Sequence, residues 1–258
     1  MGWTMLKKRI IPVQLLLNNR LVKTVQFNTY RDVGNPVASS SVYNSQYADE
    51  LIFLNISREN TSIIPLLEII DKVSSVCFMP LSVGGGIRTF EDARQLISLG
   101  ADKIVLNSAC FDTPELITQI ADHYGSQAII AGVDVKWNMK KQCYAVYSNC
   151  GQLERNIDLT EHINLCIDKG AGELLIQSID RDGMMQGYDL ALAKQIMDIA
   201  QIPVIICGGA GHYNHLKEAF LETDISAVAC GSLFNFTDSN LIRAKAFLSN
   251  YQLHFKVV

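Results

Sequence analysis

Two glycine runs are the residues of this chain that most directly indicate a binding site. Gly84-Gly85-Gly86 follows a short apolar segment, and Gly208-Gly209-Ala210-Gly211 follows another. Glycines at the end of a strand let backbone N–H groups approach an anion closely, and a following helix adds the positive end of its dipole. Each run therefore indicates phosphate binding, although tight turns alone would also explain a glycine run.

Each glycine run has a polar companion after the next apolar segment. Asn107-Ser108 follows the first run and Gly231-Ser232 follows the second. In an α/β barrel the loops after the last two strands often bind phosphate, and the first set would duplicate that site across the barrel mouth. The sequence predicts an elongated ligand with phosphate-like groups at both ends. The predicted binding residues are Gly84, Gly85, Gly86, Asn107 and Ser108 in a first cradle, and Gly208, Gly209, Ala210, Gly231 and Ser232 in a second cradle.

Histidine and cysteine side chains do not suggest a metal or cofactor site. His212 and His215 have the spacing of a shared helix face, but no third ligand is near them in the sequence, so we expect capping or surface roles. The seven cysteines are scattered and include no CxxC pair, which favours reduced thiols over a disulfide framework or a zinc site. We expect Cys207 and Cys230 to be buried packing residues.

Short apolar, β-rich runs alternate with segments of helical spacing along the chain. The predicted strands are Arg9–Leu15, Glu50–Ile56, Pro80–Val83, Lys103–Leu106, Ala128–Asp134, Glu173–Ile179, Pro203–Cys207 and Ala227–Cys230. Thr89, Asp158 and Asp189 are candidate helix caps, and residues 137–149 suggest a small hairpin after the fifth strand. Eight strand–helix units in 258 residues predict a single (β/α)₈ barrel over 1–258, with a doubly wound sheet as the alternative.

The two halves of the sequence resemble each other. Val83–Ile87 and Cys207–Gly211 are separated by the same number of residues as Leu106–Ala109 and Cys230–Leu233. Ala48–Leu54 matches Ala171–Gln177 at an offset one residue shorter. A shared offset in three separate segments predicts that the barrel is built from two duplicated half-barrels.

Composition excludes several classes of partner. The net charge of −4 gives no electrostatic footprint for nucleic acid. No apolar run is long enough to span a bilayer. The basic start of the chain is followed by a short apolar run that Pro12 and Gln14 interrupt, which is not typical of a signal peptide. We expect a cytoplasmic protein.

Three further segments, together with the glycine runs, carry a resemblance to a known family. Lys8–Pro12, Asp134–Lys136 and Ile179–Met184 resemble the HisF family, the cyclase subunits of imidazole glycerol phosphate synthase. The resemblance extends from about Leu6 to Phe236. It implies a HisH-like glutaminase docked at the N-terminal face of the barrel and ammonia crossing the barrel. It also implies a bis-phosphorylated ribulosyl aminoimidazole carboxamide as substrate, with no cofactor.

The resemblance assigns roles to residues at the predicted mouth. Asp134 matches one of the family's two catalytic aspartates, Asp182 matches a supporting aspartate, and Gly183 matches a phosphate contact. Lys23 matches a lysine of the family's flexible loop. The other catalytic aspartate is missing, because Leu15 stands at its position. A positioned acid or base contributes about 10²–10⁴ in rate, or roughly 3–5.5 kcal/mol of barrier.

Two further positions depart from the family at the ligand end. Asn55 replaces an aspartate, and Gln177 replaces a threonine near the second phosphate. Substitutions at this end predict altered chemistry at the mouth.

The opposite end keeps the family's residues. Arg9, Glu50, Lys103 and Glu173 each stand at the start of a predicted strand, and alternation places Arg9 on the same face as Leu15. Four alternating charges would form a ring on the barrel floor. The resemblance implies an ammonia gate there, and a structural plug is the alternative. Asp102 and Gln127 match positions near the family's glutaminase interface.

An intact floor below an altered mouth favours a non-cyclising subunit that delivers ammonia. The segment 11–24 is similar to HisF-like proteins associated with a glutaminase and a sugar amidotransferase in surface-polysaccharide pathways. Whether the chain is itself an enzyme stays open at this stage. The alternatives are a working cyclase of histidine biosynthesis with a displaced acid and, more remotely, a phosphosugar isomerase.

Overall fold

Twelve strands and ten α-helices make up the part of the chain that the computed structural model describes, residues 7–57 and 62–255. The strands are β1 (Arg9–Leu17), β2 (Arg20–Val25), β3 (Thr29–Gly34), β4 (Leu51–Asn55), β5 (Leu81–Gly84), β6 (Lys103–Leu106), β7 (Ile129–Asn138), β8 (Cys143–Ser148), β9 (Leu153–Glu154), β10 (Glu173–Ser178), β11 (Val204–Cys207) and β12 (Ala227–Cys230). The helices are α1 (Pro36–Ser45), α2 (Ile64–Ser74), α3 (Phe90–Ser98), α4 (Ser108–Asp112), α5 (Glu115–Tyr124), α6 (Leu159–Asp168), α7 (Leu190–Met197), α8 (Tyr213–Glu222), α9 (Ser232–Phe236) and α10 (Leu241–Ser249).

Eight parallel strands close into a barrel. Their order is β1, β4, β5, β6, β7, β10, β11 and β12, and β12 pairs with β1 to complete the ring. Helices connect these strands, as parallel neighbours require. The structure confirms the predicted (β/α)₈ barrel, and the doubly wound sheet is wrong because such a sheet would leave two open edges.

Local sequence signals explain where the helices begin and end. The Thr89 side chain accepts a hydrogen bond from the Asp92 amide while the Asp92 carboxylate accepts one from the Thr89 amide, which forms a capping box for α3. Asp158 and Asp189 cap α6 and α7 as predicted. His212 caps α8 by accepting a hydrogen bond from the Asn214 amide, which confirms a capping role for that histidine.

The barrel has two apolar layers. The larger lies between strands and helices, and a smaller cluster fills the barrel interior. The interior cluster consists of Ile11, Val13, Ile52, Val105, Ile130, Leu175, Ile205, Cys207, Ala227 and Ala229, with Leu15 and Leu54 packed against it. On β1 the intervening residue Gln14 points outward and donates a hydrogen bond to Ser39 Oγ over 2.8 Å. Alternation therefore holds along β1, and Leu15 faces inward as predicted.

Two antiparallel hairpins extend above the barrel strands. The predicted hairpin after the fifth barrel strand is confirmed, because β7 continues to Asn138 and pairs with β8. The pairing of β2 with β3 was not predicted from the sequence. This β2–β3 hairpin carries Lys23 and Thr24 to the barrel mouth.

None of the described helices is long and apolar enough to cross a membrane.

Candidate functional site

The mouth of the barrel, at the carboxyl ends of its parallel strands, collects the predicted catalytic residues. Active sites of this fold lie at this face. Asp134 lies in the middle of β7, where this strand begins to pair with β8, and stands opposite Gln177 on β10 in the parallel register. Asp182 lies in the loop after β10, and its charge raises the pKa of Asp134. The two aspartates therefore belong to one site.

Asp134 has the properties of a group that exchanges protons near neutral pH. Burial, and then the nearby Asp182 charge, raise the pKa of Asp134 to about 7. A carboxyl group with a pKa close to the working pH can both donate and accept a proton. Asp134 can thus act as a general acid or base at the mouth.

Asp182 is held in place by the β2–β3 hairpin. Its carboxylate accepts hydrogen bonds from Thr24 Oγ1 over 2.6 Å and from the Phe27 amide over 3.2 Å. The Gln177 side chain donates a third over 3.5 Å. Burial raises the pKa of Asp182, and the bonds from Thr24 and Phe27 and the charge of Lys23 oppose that rise. Asp182 is therefore a positioned carboxylate with limited freedom.

Lys23 reaches into the barrel from β2. Its side chain is buried, and Nζ donates a hydrogen bond to the main-chain carbonyl of Val13. A Cβ atom on Gly231 would collide with Lys23 Nζ, so the amine lies directly against the second cradle. Burial lowers the pKa of Lys23 to about 8, and the charges of Cys207, Asp182 and Cys230 oppose this lowering.

Position 15 offers no proton-handling group. Leu15 stands opposite Val22 of the hairpin and Leu54 of β4 in the strand registers. The leucine side chain packs on the apolar interior of the barrel. The mouth is therefore apolar at the place where the family resemblance requires a carboxylate.

The first cradle is closely packed. Gly85 has a φ of 96°, and a Cβ there would overlap the Asn55 carbonyl oxygen. Asn107 Nδ2 donates to the Gly132 carbonyl over 3.0 Å, and Ser108 Oγ donates to Asn149 Oδ1 over 3.0 Å. Asn149, in the turn after β8, thus accepts the hydrogen bond of the Ser108 hydroxyl, which the sequence predicts to bind phosphate. A phosphate would have to displace Asn149 to accept that hydrogen bond.

The second cradle likewise requires glycine, because of its backbone conformation and its close packing. Gly208 and Gly209 have φ values of 97° and 109°, a region that favours glycine. A Cβ on Gly209 would overlap the Gly187 carbonyl, since the Gly187 amide donates to the Gly209 carbonyl over 2.8 Å. Ala210 is buried beside them, and Ser232 begins α9. The main chain of the second cradle and Lys23 Nζ therefore lie together at one side of the mouth.

Gly183 has a structural reason to be glycine. Its φ is 71°, and a Cβ would collide with the Thr24 carbonyl of the hairpin. Gly183, which the family resemblance assigns as a phosphate contact, therefore also lets the hairpin approach the Asp182 loop.

The floor of the barrel brings together the four predicted charges. Arg9 Nη1 lies 2.8 Å from Glu50 Oε2, and Arg9 Nη2 bonds Glu173. Lys103 Nζ lies 3.1 Å from Glu50 Oε2 and 2.8 Å from Glu173 Oε2. Each cation thus bonds both carboxylates, and the four side chains form a closed ring beneath the apolar interior. Glu50 directly precedes β4 rather than opening it, a difference of one residue from the prediction.

The two predicted interface residues also lie at the floor. Asp102 Oδ2 accepts a hydrogen bond from the Leu81 amide over 2.8 Å, so it caps the neighbouring strand. Asp49 does the same for the Ile10 amide over 2.9 Å and pairs with Lys245 over 2.6 Å. Gln127 is exposed and bonds only within its own turn, to the Tyr124 carbonyl. Sequence reasoning missed Asp49, although it precedes Glu50 as Asp102 precedes Lys103.

Metal binding finds no support in residues 7–57 and 62–255. No group of three or more histidine, cysteine, aspartate or glutamate side chains there could hold a metal ion. All seven cysteines are free, and Cys207 and Cys230 are buried, as predicted.

Comparison with known proteins gives extended matches. Residues 9–240 match the family described as "Histidine biosynthesis protein". The chain is 39% identical over 253 residues to the imidazole glycerol phosphate synthase subunit HisF of Hydrogenobaculum sp. (strain Y04AAS1), covering 98% of this chain and 100% of that protein. It is 39% identical over 246 residues to the HisF subunit of Staphylococcus carnosus (strain TM300), covering 95% of this chain and 97% of the relative.

Proposed function

The chain belongs to the HisF family, and from this premise we propose that it is the barrel subunit of a glutamine amidotransferase complex. A HisH-like glutaminase docks at the floor and releases ammonia, which crosses the barrel interior to the mouth. The contrast between a complete floor ring and the apolar Leu15 carries this proposal. The ammonia acceptor is a molecule other than the family's ribulosyl substrate, with amidation of a sugar by an associated amidotransferase as the leading candidate.

The floor ring and the interior cluster support a route for a small neutral molecule. Above the ring the barrel is lined by aliphatic side chains, which do not hold ammonia by hydrogen bonds. The ring itself is closed by four ion pairs, so passage requires one pair to separate. Asp102 and Gln127 lie on the same face, where a glutaminase would bind.

The loss of a carboxylate at position 15 supports delivery rather than cyclisation. Leucine can neither donate nor accept a proton. Without one of the family's two catalytic aspartates, cyclisation would be slower by about 10²–10⁴ unless another group replaced it. Asp134, Asp182 and both glycine cradles stay in place, which fits a mouth that still holds a phosphorylated ligand.

One assay separates delivery from cyclisation. The purified chain is mixed with a HisH-type glutaminase, glutamine and the bis-phosphorylated ribulosyl substrate, and both glutamate and imidazole glycerol phosphate are measured. We expect glutamate to form with little imidazole glycerol phosphate. Product formation at the rate of a HisF relative tested in parallel would contradict the proposal.

A working histidine-pathway cyclase is the second candidate, and Asp134 favours it. Its pKa of about 7 gives the mouth one acid or base that functions at neutral pH. In that case the assay yields imidazole glycerol phosphate, and Asp134→Asn abolishes it.

The gate assignment has a separate test. Lys103→Met removes one of the two cations that join Glu50 to Glu173 while keeping a similar chain length. We expect ammonia to escape to bulk solution, so that glutamine hydrolysis continues while less ammonia reaches the mouth. Unchanged coupling between the two would support a structural plug.

A further inference from the structure

The amine of Lys23 has surroundings that are unusual for a lysine. In the described chain no carboxylate forms an ion pair with it, and the hydrogen bond of Nζ goes to the neutral Val13 carbonyl. The ionisable groups that face it are Cys207 on β11, Cys230 on β12 and Asp182 in the loop after β10. Burial raises the pKa of both cysteine thiols, so these neighbours are neutral at physiological pH.

This environment favours the uncharged amine. Removing an ammonium from water without a partner destabilises the charged form, and the pKa of Lys23 is lowered to about 8. A neutral amine is a nucleophile, whereas an ammonium is not. The apolar Leu15 lies two residues along β1 from the carbonyl that binds Nζ, so β1 supplies no carboxylate that would keep Lys23 protonated.

We propose that Lys23 forms a reversible imine with a phosphorylated open-chain aldehyde or ketone bound at the mouth. Nζ attacks the carbonyl carbon, and the new C–N bond gives a carbinolamine. The carbinolamine hydroxyl then leaves as water after gaining a proton, and the nitrogen loses a proton as the C=N bond forms. No oxidant or reductant is consumed.

The second cradle explains why the aldehyde or ketone should carry a phosphate group. Lys23 Nζ rests against Gly231, and Gly208 and Gly209 adopt turns that only glycine tolerates easily. A phosphate bound to the backbone of these turns would place the rest of a short sugar chain next to the amine. Asp134, with a pKa of about 7, is the mouth residue suited to donate the proton to the departing hydroxyl.

Access to the amine depends on the β2–β3 hairpin. The hairpin is attached to the Asp182 loop by bonds from Thr24, Gln26 and Phe27, and most of β3 is exposed. Movement of the hairpin away from the barrel would admit the ligand to the second cradle, and its return would bring Lys23 Nζ back beside Gly231. The imine does not depend on a glutaminase. It can therefore be disproved while the proposed function stands, and the proposed function can be disproved while the imine stands.

Reductive trapping of the full-length protein tests the imine. The protein is incubated with dihydroxyacetone phosphate or ribulose 5-phosphate and sodium cyanoborohydride, and intact mass and peptide mapping locate the adduct. We expect one adduct, on Lys23, at least tenfold more than with unphosphorylated dihydroxyacetone. Labelling should rise with a midpoint near pH 8, because that is the pKa to which burial lowers Lys23.

Two variants complete the test. Lys23→Arg should lose the adduct, and Lys136→Arg, which alters an exposed lysine on β7, should keep it. Labelling spread over surface lysines, equal labelling by the unphosphorylated ketone, or no labelling would overturn the imine and leave Lys23 as a counterion for phosphate. Because peptide mapping identifies the modified lysine in the unaltered protein, the result does not depend on the folding of either variant.

Discussion

Charged groups are paired at the floor of the barrel and unpaired at its mouth. At the floor, Arg9 and Lys103 each bond both Glu50 and Glu173, so every charge is neutralised by its neighbours. At the mouth, Lys23 is buried and Asp134 is partly buried, neither has such a partner among the described residues, and their pKa values move towards neutrality. The floor is arranged to keep its charges fixed, whereas the mouth is arranged to let protons leave and return.

The two ends of the barrel are built on the same scaffold but carry different chemical groups. The same strands supply both ends, since β1 contributes Arg9 to the floor and Leu15 to the mouth. Leu15 brings no ionisable group to the mouth, while Arg9 on the same strand is paired at the floor. We therefore expect substitutions at one end to leave the properties of the other end unchanged.

Restoring the missing carboxylate is expected to have the largest effect. Leu15→Asp should raise the rate of imidazole glycerol phosphate formation by about 10²–10⁴, or roughly 3–5.5 kcal/mol of barrier. The rate is measured with the ribulosyl substrate and ammonium salt, so that no glutaminase is needed. Leu54→Asp is the matched control, because it places a carboxylate in register beside Leu15 but on β4. A rate unchanged by Leu15→Asp would show that another group already supplies the proton.

Breaking the floor ring should destabilise the fold without changing proton chemistry at the mouth. Glu50→Ala leaves two partly buried cations with one carboxylate between them and also removes the acceptor of the Ser82 hydroxyl. We expect the free energy of unfolding in urea to fall by about 3–5 kcal/mol. Glu154→Ala, which breaks an exposed pair with Lys141, should have a far smaller effect. Similar losses from the two substitutions would mean that the ring is structurally unimportant.

At the mouth, removing the partly buried Asp134 carboxylate should stabilise the protein in a pH-dependent way. The pKa of Asp134 is about 7 in the folded chain, above its ordinary value of 3.8, so the folded state holds its proton more tightly. The proton contributes stability that is fully present below about pH 4 and is lost as pH rises through 7. Asp134→Asn should therefore be more stable than the unaltered protein at pH 8, by up to about 4 kcal/mol, and the difference should shrink at pH 5.

The control for this pH effect is an aspartate outside the site. Asp238 is exposed, and Asp238→Asn should change the unfolding free energy little at either pH. A difference between Asp134→Asn and the unaltered protein that is the same at pH 5 and pH 8 would contradict the raised pKa.

Periodicity and capping predicted most of the fold. The eight barrel strands, the Thr89, Asp158 and Asp189 caps and the β7–β8 hairpin follow from local patterns, because strand burial and helix ends are encoded by adjacent residues. The inward face of β1 also followed from alternation, which placed Arg9 and Leu15 on one side. The β2–β3 hairpin did not, since β3 is exposed and lacks apolar alternation.

The contacts within the site were less predictable. The closed bonding of the floor ring depends on side-chain reach across the barrel, which spacing along the chain does not give. The bond between Ser108 and Asn149 joins loops far apart in sequence. Lys23 was placed at the mouth only by resemblance, and its packing against Gly231 depends on the folded hairpin.

The smallest predicted effect concerns the bond that joins the hairpin to the mouth. Thr24→Val removes the 2.6 Å hydrogen bond to the Asp182 carboxylate, and bonds to charged groups contribute about 1.5–3 kcal/mol. We expect faster amide hydrogen exchange in residues 20–34 and a higher pKa of Asp182, because the Thr24 bond lowers that pKa. Thr223→Val, which removes a 2.6 Å bond to a neutral helix carbonyl, should leave exchange in 20–34 unchanged. Equal exchange in the two variants would show that the hairpin is held by its other contacts, and the mouth would then be as fixed as the floor.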